Sequence, residues 1–401
     1  MGVPRTALLA ALLVGAAACS KGTPSATAVR PLDPPAAPGA IAPRLTSFDG
    51  RVVLSWVEPQ GDGGTLRYAV RDASGWSAAR TAEQDPHLAA NGADVPGVVP
   101  LAGGGLAAHW CVKRDGSTHA TDLLTAVSRD GGGTWSAPTR PHRDDTATEH
   151  GLASLIPLAQ AGRFGMAWLD GRAGELASYG EGGTALYWAQ WDGQAFGPET
   201  VLDPRVCDCC KTAGAATASG PVVAYRDRDA DERRDTSVVR QREGRWQPPD
   251  TVHADGWRLT ACPTNGPAVA AQGDRTVVAW FTGAGAGPSV WAVRSTDGAG
   301  TFSPPVRLDA GTPGGRVDAA LLPDGSPVVA WLEKKGDRGE VTVRRIGADG
   351  TLAAPVVVGT TSAARSSGYP RIAATGAREV LAAWTETGSP AKLRAALVTL
   401  P

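Results

Sequence analysis

The sequence lacks any apolar stretch of about 18 residues, so no segment of it has the length of a membrane-spanning helix. It also lacks an excess of charge of one sign. With 39 Lys and Arg against 40 Asp and Glu, the net charge of −1 excludes a broad electrostatic attraction to nucleic acid. Continuous helical periodicity is absent over any useful length. What is present is a 401-residue chain with 42% hydrophobic residues, enough to bury a large core.

The first nineteen residues have the pattern of a lipoprotein signal. Arg5 supplies the positive start, residues 7–14 form a short apolar run, and three alanines precede Cys19. Acyl chains on Cys19 would anchor the protein, because two or more chains hold a protein at a membrane where one does not. We therefore expect an exported lipoprotein of the outer or cytoplasmic membrane, in the periplasm or at the cell surface, attached to the membrane only through its lipid. Cleavage after Ala18 into a soluble exported protein is the alternative.

Residues 20–41 are rich in Pro, Ala, Gly and Ser and contain few large apolar side chains. Such a composition is typical of an extended tether. We therefore divide the chain into a signal over residues 1–19, a flexible tether over residues 20–41 and one folded domain over residues 42–401.

One strand pattern recurs seven times along this domain. Each copy is a short apolar segment that ends in an aromatic residue, and successive copies are 51 to 58 residues apart. The seven aromatic residues are Trp56, Trp110, Trp168, Tyr225, Trp280, Trp331 and Trp384. This period is near that of β-propeller blades, in which a four-stranded sheet buries both faces only when neighbouring sheets pack against it.

Each copy also has apolar segments before and after it, separated by Gly, Asp and Asn turns, as expected for the strands of one blade. The pattern predicts an all-β fold, a β-propeller with seven blades, with six as the alternative if an end copy only caps the ring. The last copy stops after its third strand, so we expect residues 27–32 to supply its outer strand and remove an exposed edge. The repeated tryptophans are predicted to pack between blades rather than to bind a ligand.

A turn motif in the second repeat resembles the Asp box of bacterial sialidases and related propellers, S-x-D-x-G-x-T-W. Its residues here are Ser128, Asp130, Gly132, Thr134 and Trp135, and a second copy has Ser295, Asp297, Thr301 and Phe302. The carboxylate accepts backbone N–H bonds across the hairpin and the glycines take positive φ, so the motif is a structural signature and not a catalytic one.

Further strings, including EHGLASLIPL, AWLDGR, RVCDCC and ACPTNGP, resemble bacterial secreted proteins described as sialidase-like. The resemblance implies a glycoside hydrolase that acts on an acidic glycan, without a cofactor or metal ion, and we expect a monomer. Sialidase-like chemistry requires arginines that clamp the substrate carboxylate, a carboxylic acid for proton transfer and a tyrosine nucleophile. Where the family has F-R-I-P, this sequence has Ala42-Pro43-Arg44-Leu45.

The unusual polar residues fall in the loops that lead into repeats three to five and in their second-to-third connections, which share one face of a propeller. We expect them to converge on one sector of that face. The candidate catalytic residues are Asp170, Glu149 and Tyr225. The candidate substrate-binding residues are Arg172, Arg226, Arg234, Arg371, His150 and Trp257.

Cysteine placement leaves two possibilities open. The candidates for a disulfide are Cys207, Cys209, Cys210 and Cys262, and in an oxidising compartment a bridge from Cys262 to the C-x-C-C cluster is the first choice. A soft metal ion held by the same cysteines is the alternative. Cys111 follows a strand tryptophan and is predicted to be a buried free thiol.

Three functions therefore compete. The leading one is an exported hydrolase of acidic glycans, because the fold signature and the arginines agree with it. The second is a propeller that binds a glycan or a protein without catalysis, since a fold does not imply a function. The third is a metal-handling surface protein built on the cysteine cluster.

Overall fold

The computed structural model describes residues 1–2, 27–48, 50–90, 92–114, 120–174 and 183–401. The expected signal, Cys19 and the first part of the expected tether lie outside these residues. Within them, no helix is long and apolar enough to cross a membrane. Apart from two short 3₁₀ turns, Ala102–Gly104 and Arg365–Ser367, the regular structure is β-strand.

The described strands form seven antiparallel sheets, each a blade of four or five strands. Blade 1 consists of Ile41–Phe48, Arg51–Gln60, Gly63–Asp72, Gly75–Trp76 and Arg80–Asp85. Blade 2 consists of Leu88–Ala89, Gly97–Pro100, Leu106–Lys113 and Thr121–Ser128. Blade 3 consists of His150–Pro157, Phe164–Asp170, Thr184–Trp191 and Thr200–Val206. Blade 4 consists of Ala213–Thr217, Gly220–Arg226, Thr236–Arg242, Arg245–Trp246 and Asp250–His253.

The remaining three sheets follow in the same order along the chain. Blade 5 consists of Ala268–Gln272, Arg275–Thr282, Ser289–Ser295 and Val306–Arg307. Blade 6 consists of Pro313–Leu321, Pro327–Lys335, Arg338–Arg345 and Val356–Ser362. Blade 7 consists of Arg371–Gly376, Glu379–Glu386, Lys392–Thr399 and Ala28–Pro31. The seven blades predicted from the sequence are confirmed, and the six-bladed alternative is excluded.

Ring closure joins the two ends of the domain. Ala28–Pro31 pairs antiparallel with Lys392–Thr399, with Ala28 opposite Thr399 and Pro31 opposite Ala396. The closure expected from residues 27–32 is therefore confirmed, and this part of the expected tether is a blade strand. The pairing covers the backbone edge that the last repeat would otherwise expose.

The core lies between the blades. Among the described residues, seven apolar clusters each join two neighbouring sheets around the ring. The aromatic residue of each repeat is buried in the cluster that faces the preceding blade; Trp56, for example, packs beside Leu381 and Leu397 of blade 7. The predicted packing role of the tryptophans is confirmed.

The turns that carry the motif residues begin at the end of Thr121–Ser128 in blade 2 and of Ser289–Ser295 in blade 5. Asp130 accepts hydrogen bonds from the backbone N–H groups of Gly133 and Thr134, at 2.9 Å each, and from the Ser128 hydroxyl at 2.8 Å. Asp297 makes the equivalent bonds in blade 5, and these bonds together hold its pKa at about 2. Both carboxylates thus stabilise their turns as acceptors of local N–H and O–H groups.

The first strand of each blade lies nearest the axis, where the first strands of neighbouring blades contact one another all the way round. In blades 1, 3 and 6 this strand carries a bulge, and a residue other than glycine with positive φ lies within it: Ala42 at 55°, Leu152 at 51° and Arg316 at 58°. Bulges change the direction of the side chains that follow and are frequent beside functional sites. Here they lie at the end of the axis where the candidate site is found.

Candidate functional site

A cavity of about 710 Å³ lies at the centre of the ring, on the face that carries the second-to-third connections. Its wall includes Glu149 from the loop into blade 3, Lys334 from blade 6 and Arg365 from the loop into blade 7. A volume of this size is typical of small-molecule sites. The cavity therefore is the candidate binding site of the protein.

Glu149 is the carboxylic acid of this cavity. Burial raises its pKa to about 8, and the negative charges of Asp94 and Asp208 contribute to the shift. The side chain is thus protonated at neutral pH and can donate a proton to a bound molecule.

Below the cavity, the first strands enclose a smaller polar space of about 80 Å³, which we call the axial channel. Its ionisable residues are Arg44 from blade 1, Lys211 from the loop into blade 4, Asp318 from blade 6 and Arg371 from blade 7. Three cations therefore face one carboxylate, and the channel has a positive charge.

The side chain of Arg44 has no hydrogen bond or ion pair with any described residue. Its side chain lies over Gly97, where a Cβ atom would come within 2.3 Å of the Arg44 Cδ. Burial and the charge of Arg371 lower the pKa of Arg44 to about 10. A half-buried guanidinium without a hydrogen-bond partner favours an anion beside it, here in the channel.

Lys211 and Arg371 lie on either side of Tyr369. The Lys211 ammonium is 5.0 Å from the centre of the Tyr369 ring, and the Arg371 guanidinium is 5.4 Å from it. Burial, with the neighbouring charge of Arg371, lowers the pKa of Lys211 to about 7. Asp318 is 3.7 Å from Arg371 and also accepts the backbone N–H of Ile372. The carboxylate of Asp318 is therefore already engaged by Arg371 and by the backbone of Ile372.

The hydroxyl of Tyr369 is fully used in holding a loop of the cavity wall. It donates to the carbonyl oxygen of Thr264 at 2.8 Å and accepts the N–H of Gly266 at 3.1 Å. Arg316 holds the loop on the opposite side through the carbonyl oxygens of Ala364 and Gly368 and the hydroxyl of Ser367. The polar groups of Tyr369 and Arg316 are therefore used to position the cavity wall.

Asp170, a predicted catalytic residue, is fully buried at the end of the second strand of blade 3. Its Oδ2 accepts the indole N–H of Trp168 at 2.8 Å, and Arg172 bonds both of its oxygens at 2.6 and 2.9 Å. The bond from the indole to a carboxylate two residues further on recurs in blades 1 and 6. The structure thus places Asp170 in a repeated packing arrangement and outside the central cavity.

His150 and Arg172 belong to a separate cluster at the junction of blades 2 and 3. The His150 ring stacks on His142 with their centres 3.9 Å apart, and its Nε2 lies 3.0 Å from Asp144 Oδ1. Arg172 reaches the same oxygen of Asp144 at 3.1 Å. Burial lowers the pKa of His142 to about 4. The cluster is held together internally and does not line the central cavity.

Tyr225 lies in the core between blades 3 and 4. It is fully buried, and its hydroxyl donates to Asp203 at 2.6 Å. Burial raises its pKa further, with the charge of Asp203 adding to the shift. Its hydroxyl is therefore engaged within the protein, away from the cavity.

Arg226 and Arg234 lie between blades 4 and 5. Arg226 donates to the carbonyl oxygens of Asn265 and Phe281, at 2.8 and 2.7 Å, and stacks on Trp257 at 4.8 Å. Arg234 donates to Leu259 at 3.0 Å and to the Glu232 carboxylate at 2.9 Å. Both guanidinium groups are almost completely buried and do not line the central cavity.

A disulfide joins Cys209 to Cys262, across the loops that lead into blades 4 and 5. The predicted bridge from Cys262 to the cluster is confirmed, and both partners line the cavity. Cys207 and Cys210, the other two disulfide candidates, are buried free thiols. Cys111 is also buried and free, as predicted.

The structure therefore brings together two of the predicted site residues, Glu149 at the cavity and Arg371 in the channel. It places Asp170, Tyr225, Arg172, Arg226, Arg234, His150 and Trp257 elsewhere. Sequence reasoning missed Arg44, Lys211, Asp318, Lys334 and Arg365. Arg44 carried a signal, because it stands in the segment that replaces F-R-I-P, whereas the others are single charges in ordinary strands or loops.

The fold and the axial site define the class of this protein: an all-β propeller of seven blades with a polar central cavity. No family model matches the chain, and no curated protein matches its sequence. Among solved structures, it is similar to a protein of unknown function from Dyadobacter fermentans, with 14% identity over 93% of this chain and 98% of the other and a TM-score of 0.53. It is likewise similar to the polysaccharide lyase Uly1, with 8% identity over 90% of both chains and a TM-score of 0.54.

Structural neighbours also include sialidases. A mutant of NanB sialidase from Streptococcus pneumoniae aligns over 93% of this chain and 94% of its own, with 10% identity and a TM-score of 0.49. At these identities the similarities concern the fold alone, and the reaction has to be argued from the site.

Proposed function

We propose that the central cavity binds an acidic saccharide, with its carboxylate in the axial channel, and that Glu149 protonates the glycosidic oxygen when the bond is cleaved. The observation that carries this proposal is the charge of the channel lining, which has the three cations Arg44, Lys211 and Arg371 and, among the described residues, one carboxylate, Asp318. A guanidinium offers bidentate hydrogen bonds to a carboxylate, and Arg44 has no other partner among the described residues.

The electrostatics of the channel agree with an anionic ligand. The pKa of Lys211 is lowered to about 7 because burial and the charge of Arg371 disfavour its cationic form. A bound carboxylate would favour that form, so binding should raise the pKa and take up a proton near neutral pH. Above pH 7 the free protein loses the Lys211 charge, and the affinity for the anion should fall by up to about tenfold per pH unit.

The same cavity contains a proton donor for cleavage, the carboxylic acid of Glu149. Glu149 keeps its proton up to about pH 8, which is the form that a general acid needs. Among the side chains that line the described wall of the cavity, Glu149 is the only carboxylic acid. Activity, where present, should therefore decline as pH rises through about 8.

Binding without catalysis is the second candidate, and a specific observation favours it. Tyr225, the predicted nucleophile, and Tyr369, which lines the cavity, both have engaged hydroxyls: that of Tyr225 bonds Asp203, and that of Tyr369 bonds Thr264 and Gly266. Neither is available as the nucleophile that a sialidase-like reaction requires. In this case the same ligand binds and is released unchanged.

The test is calorimetric binding and turnover with a panel of sialosides and uronic acid oligosaccharides. Arg44→Ala should weaken binding at least about tenfold, whereas Arg129→Ala, an exposed arginine in a turn far from the cavity, should leave it unchanged. Glu149→Gln should abolish turnover and retain binding. Binding without turnover by the wild type leaves the second candidate, and equal affinities of the two arginine variants would reject the channel as the anion site.

We further propose that the protein is exported and held at a membrane through a lipid on Cys19. The Cys209–Cys262 disulfide supports export, because disulfides persist in oxidising compartments. Mass analysis of the mature amino terminus should show an acylated Cys19, and Cys19→Ser should release the protein from membranes. An unmodified residue at this position would contradict the anchor.

A further inference from the structure

Four sulfur atoms lie together beside the central cavity, in a group that we call the sulfur cluster: Cys207, Cys209, Cys210 and Cys262. The Cys207 Sγ is 3.4 Å from the Sγ of Cys210 and 3.9 Å from that of Cys209, which forms the disulfide with Cys262. The ligand atoms of the first three all lie within 4.8 Å of one another. Thiolates around a tetrahedral zinc ion, each about 2.3 Å from the metal, are roughly 3.8 Å apart.

The surroundings of the cluster stabilise negative charge on sulfur. The Nη1 of Arg234 donates to the Cys207 Sγ at 3.2 Å. Cysteine binds a metal ion as the thiolate, and a guanidinium at this distance from the Cys207 sulfur favours that form.

Arg226 provides an independent indication. It is 1% exposed, and among the described residues its guanidinium bonds only to carbonyl oxygens and to the face of Trp257, with no carboxylate at ion-pair distance. A buried cation of this kind needs a compensating anion. A zinc ion with four thiolates has a formal charge of −2, which the charge of Arg226 would partly offset.

We propose that the sulfur cluster is a redox-gated metal site, in which reduction of the Cys209–Cys262 disulfide creates a four-cysteine site for one zinc ion. The electrons come from an external dithiol, which is oxidised to its own disulfide as Cys209 and Cys262 take up two electrons and two protons. Zinc then displaces the thiol protons of the four ligands into solvent. This inference is independent of what the central cavity binds.

The two states cross-link the same parts of the fold. Cys209 belongs to the loop into blade 4 and Cys262 to the loop into blade 5, and both line the cavity wall. Either the disulfide or the zinc ion cross-links these loops, whereas the reduced, metal-free protein keeps only the hydrogen bonds between them. The cavity should therefore keep its shape in the oxidised and the zinc-bound forms.

The experiment uses the full chain, either oxidised or reduced with an excess of a dithiol that is then removed under anaerobic conditions. Zinc binding is measured by competition with a chromophoric chelator, and Co²⁺ replaces zinc as a spectroscopic probe of sulfur ligation. The reduced protein should bind one zinc ion and give sulfur-to-cobalt charge-transfer bands, and the oxidised protein should bind at least about 100-fold more weakly.

Two variants make the test specific. Cys207→Ser should lose at least about 100-fold in zinc affinity when reduced, while its Cys209–Cys262 disulfide still forms on oxidation and reports a correct fold. Cys111→Ala removes a buried thiol outside the cluster and should bind zinc like the wild type. Zinc affinity that survives in Cys207→Ser, or that does not depend on reduction, would overturn the proposal.

Discussion

Replacement of Glu149 by Gln should stabilise the protein, and the effect should grow with pH. The folded-state pKa of this carboxyl is raised to about 8, whereas an unfolded glutamate has a pKa of about 4.5. The native protein therefore holds a proton that the unfolded chain has lost between these two values. The stability contributed by the protonated carboxyl is fully present below about pH 4.5 and is lost as pH rises through about 8.

The magnitude follows from the difference of about 3.5 pKa units. At about 1.4 kcal/mol per unit, ionisation of Glu149 costs the wild type at most about 5 kcal/mol above pH 8. Water in the cavity solvates part of the carboxylate, so we expect a difference of about 2 to 5 kcal/mol between Glu149→Gln and the wild type at pH 9. At pH 4.5 the two proteins should differ by less than about 1 kcal/mol.

The assay is urea denaturation of both proteins at half-unit steps from pH 4.5 to 9, without reductant so that the disulfide stays intact. Glu243→Gln, a change at an exposed glutamate, is the matched control and should follow the wild type throughout. Parallel curves for Glu149→Gln and the wild type across this range would refute the argument that Glu149 carries its proton at neutral pH.

Two further changes test the packing beside the site. Cys262→Ser removes a bridge between residues 53 apart in sequence and should lower the free energy of unfolding by about 4 kcal/mol through loop entropy; a loss under about 1 kcal/mol in denaturant titrations would contradict this. Tyr225→Phe should cost about 1 to 3 kcal/mol, because Asp203 loses a buried hydrogen-bond donor, and should leave ligand affinity unchanged. A loss of affinity without loss of stability would mean that Tyr225 serves the ligand after all.

The number of blades could be predicted from the sequence because buried aromatic residues recur at regular intervals along the chain. Each second strand buries its aromatic residue against the preceding blade, so the same residue type returns at nearly constant spacing from Trp56 to Trp384. The closing strand was accessible for a related reason, since a last repeat with three strands leaves an edge that residues near Ala28 cover. Both predictions depend on strand pairing and apolar burial, which produce a repeating pattern of residue types in the sequence.

The grouping of charges was not accessible in the same way. Asp170 and Arg172 lie in a connection on the correct face, yet they turn towards Trp168 and Asp144 instead of the axis. Arg226 and Arg234 are likewise directed into the junction of blades 4 and 5. Topology assigns a loop to a face, but the direction of each side chain depends on the acceptors that neighbouring blades offer.

The sequence by itself determined the all-β class, the seven blades and the closure of the ring. Only the tertiary structure decided which charged groups meet at the axis. Arg44, Lys211 and Arg371 are far apart in the chain and lie in unrelated local patterns, and they become neighbours because the first strands of blades 1 and 7 and the loop into blade 4 converge on one channel. Periodic burial depends on neighbouring residues and is therefore visible in the sequence. The electrostatic potential in a cavity is a sum over residues that are distant in the chain, so it exists only after the ring has closed.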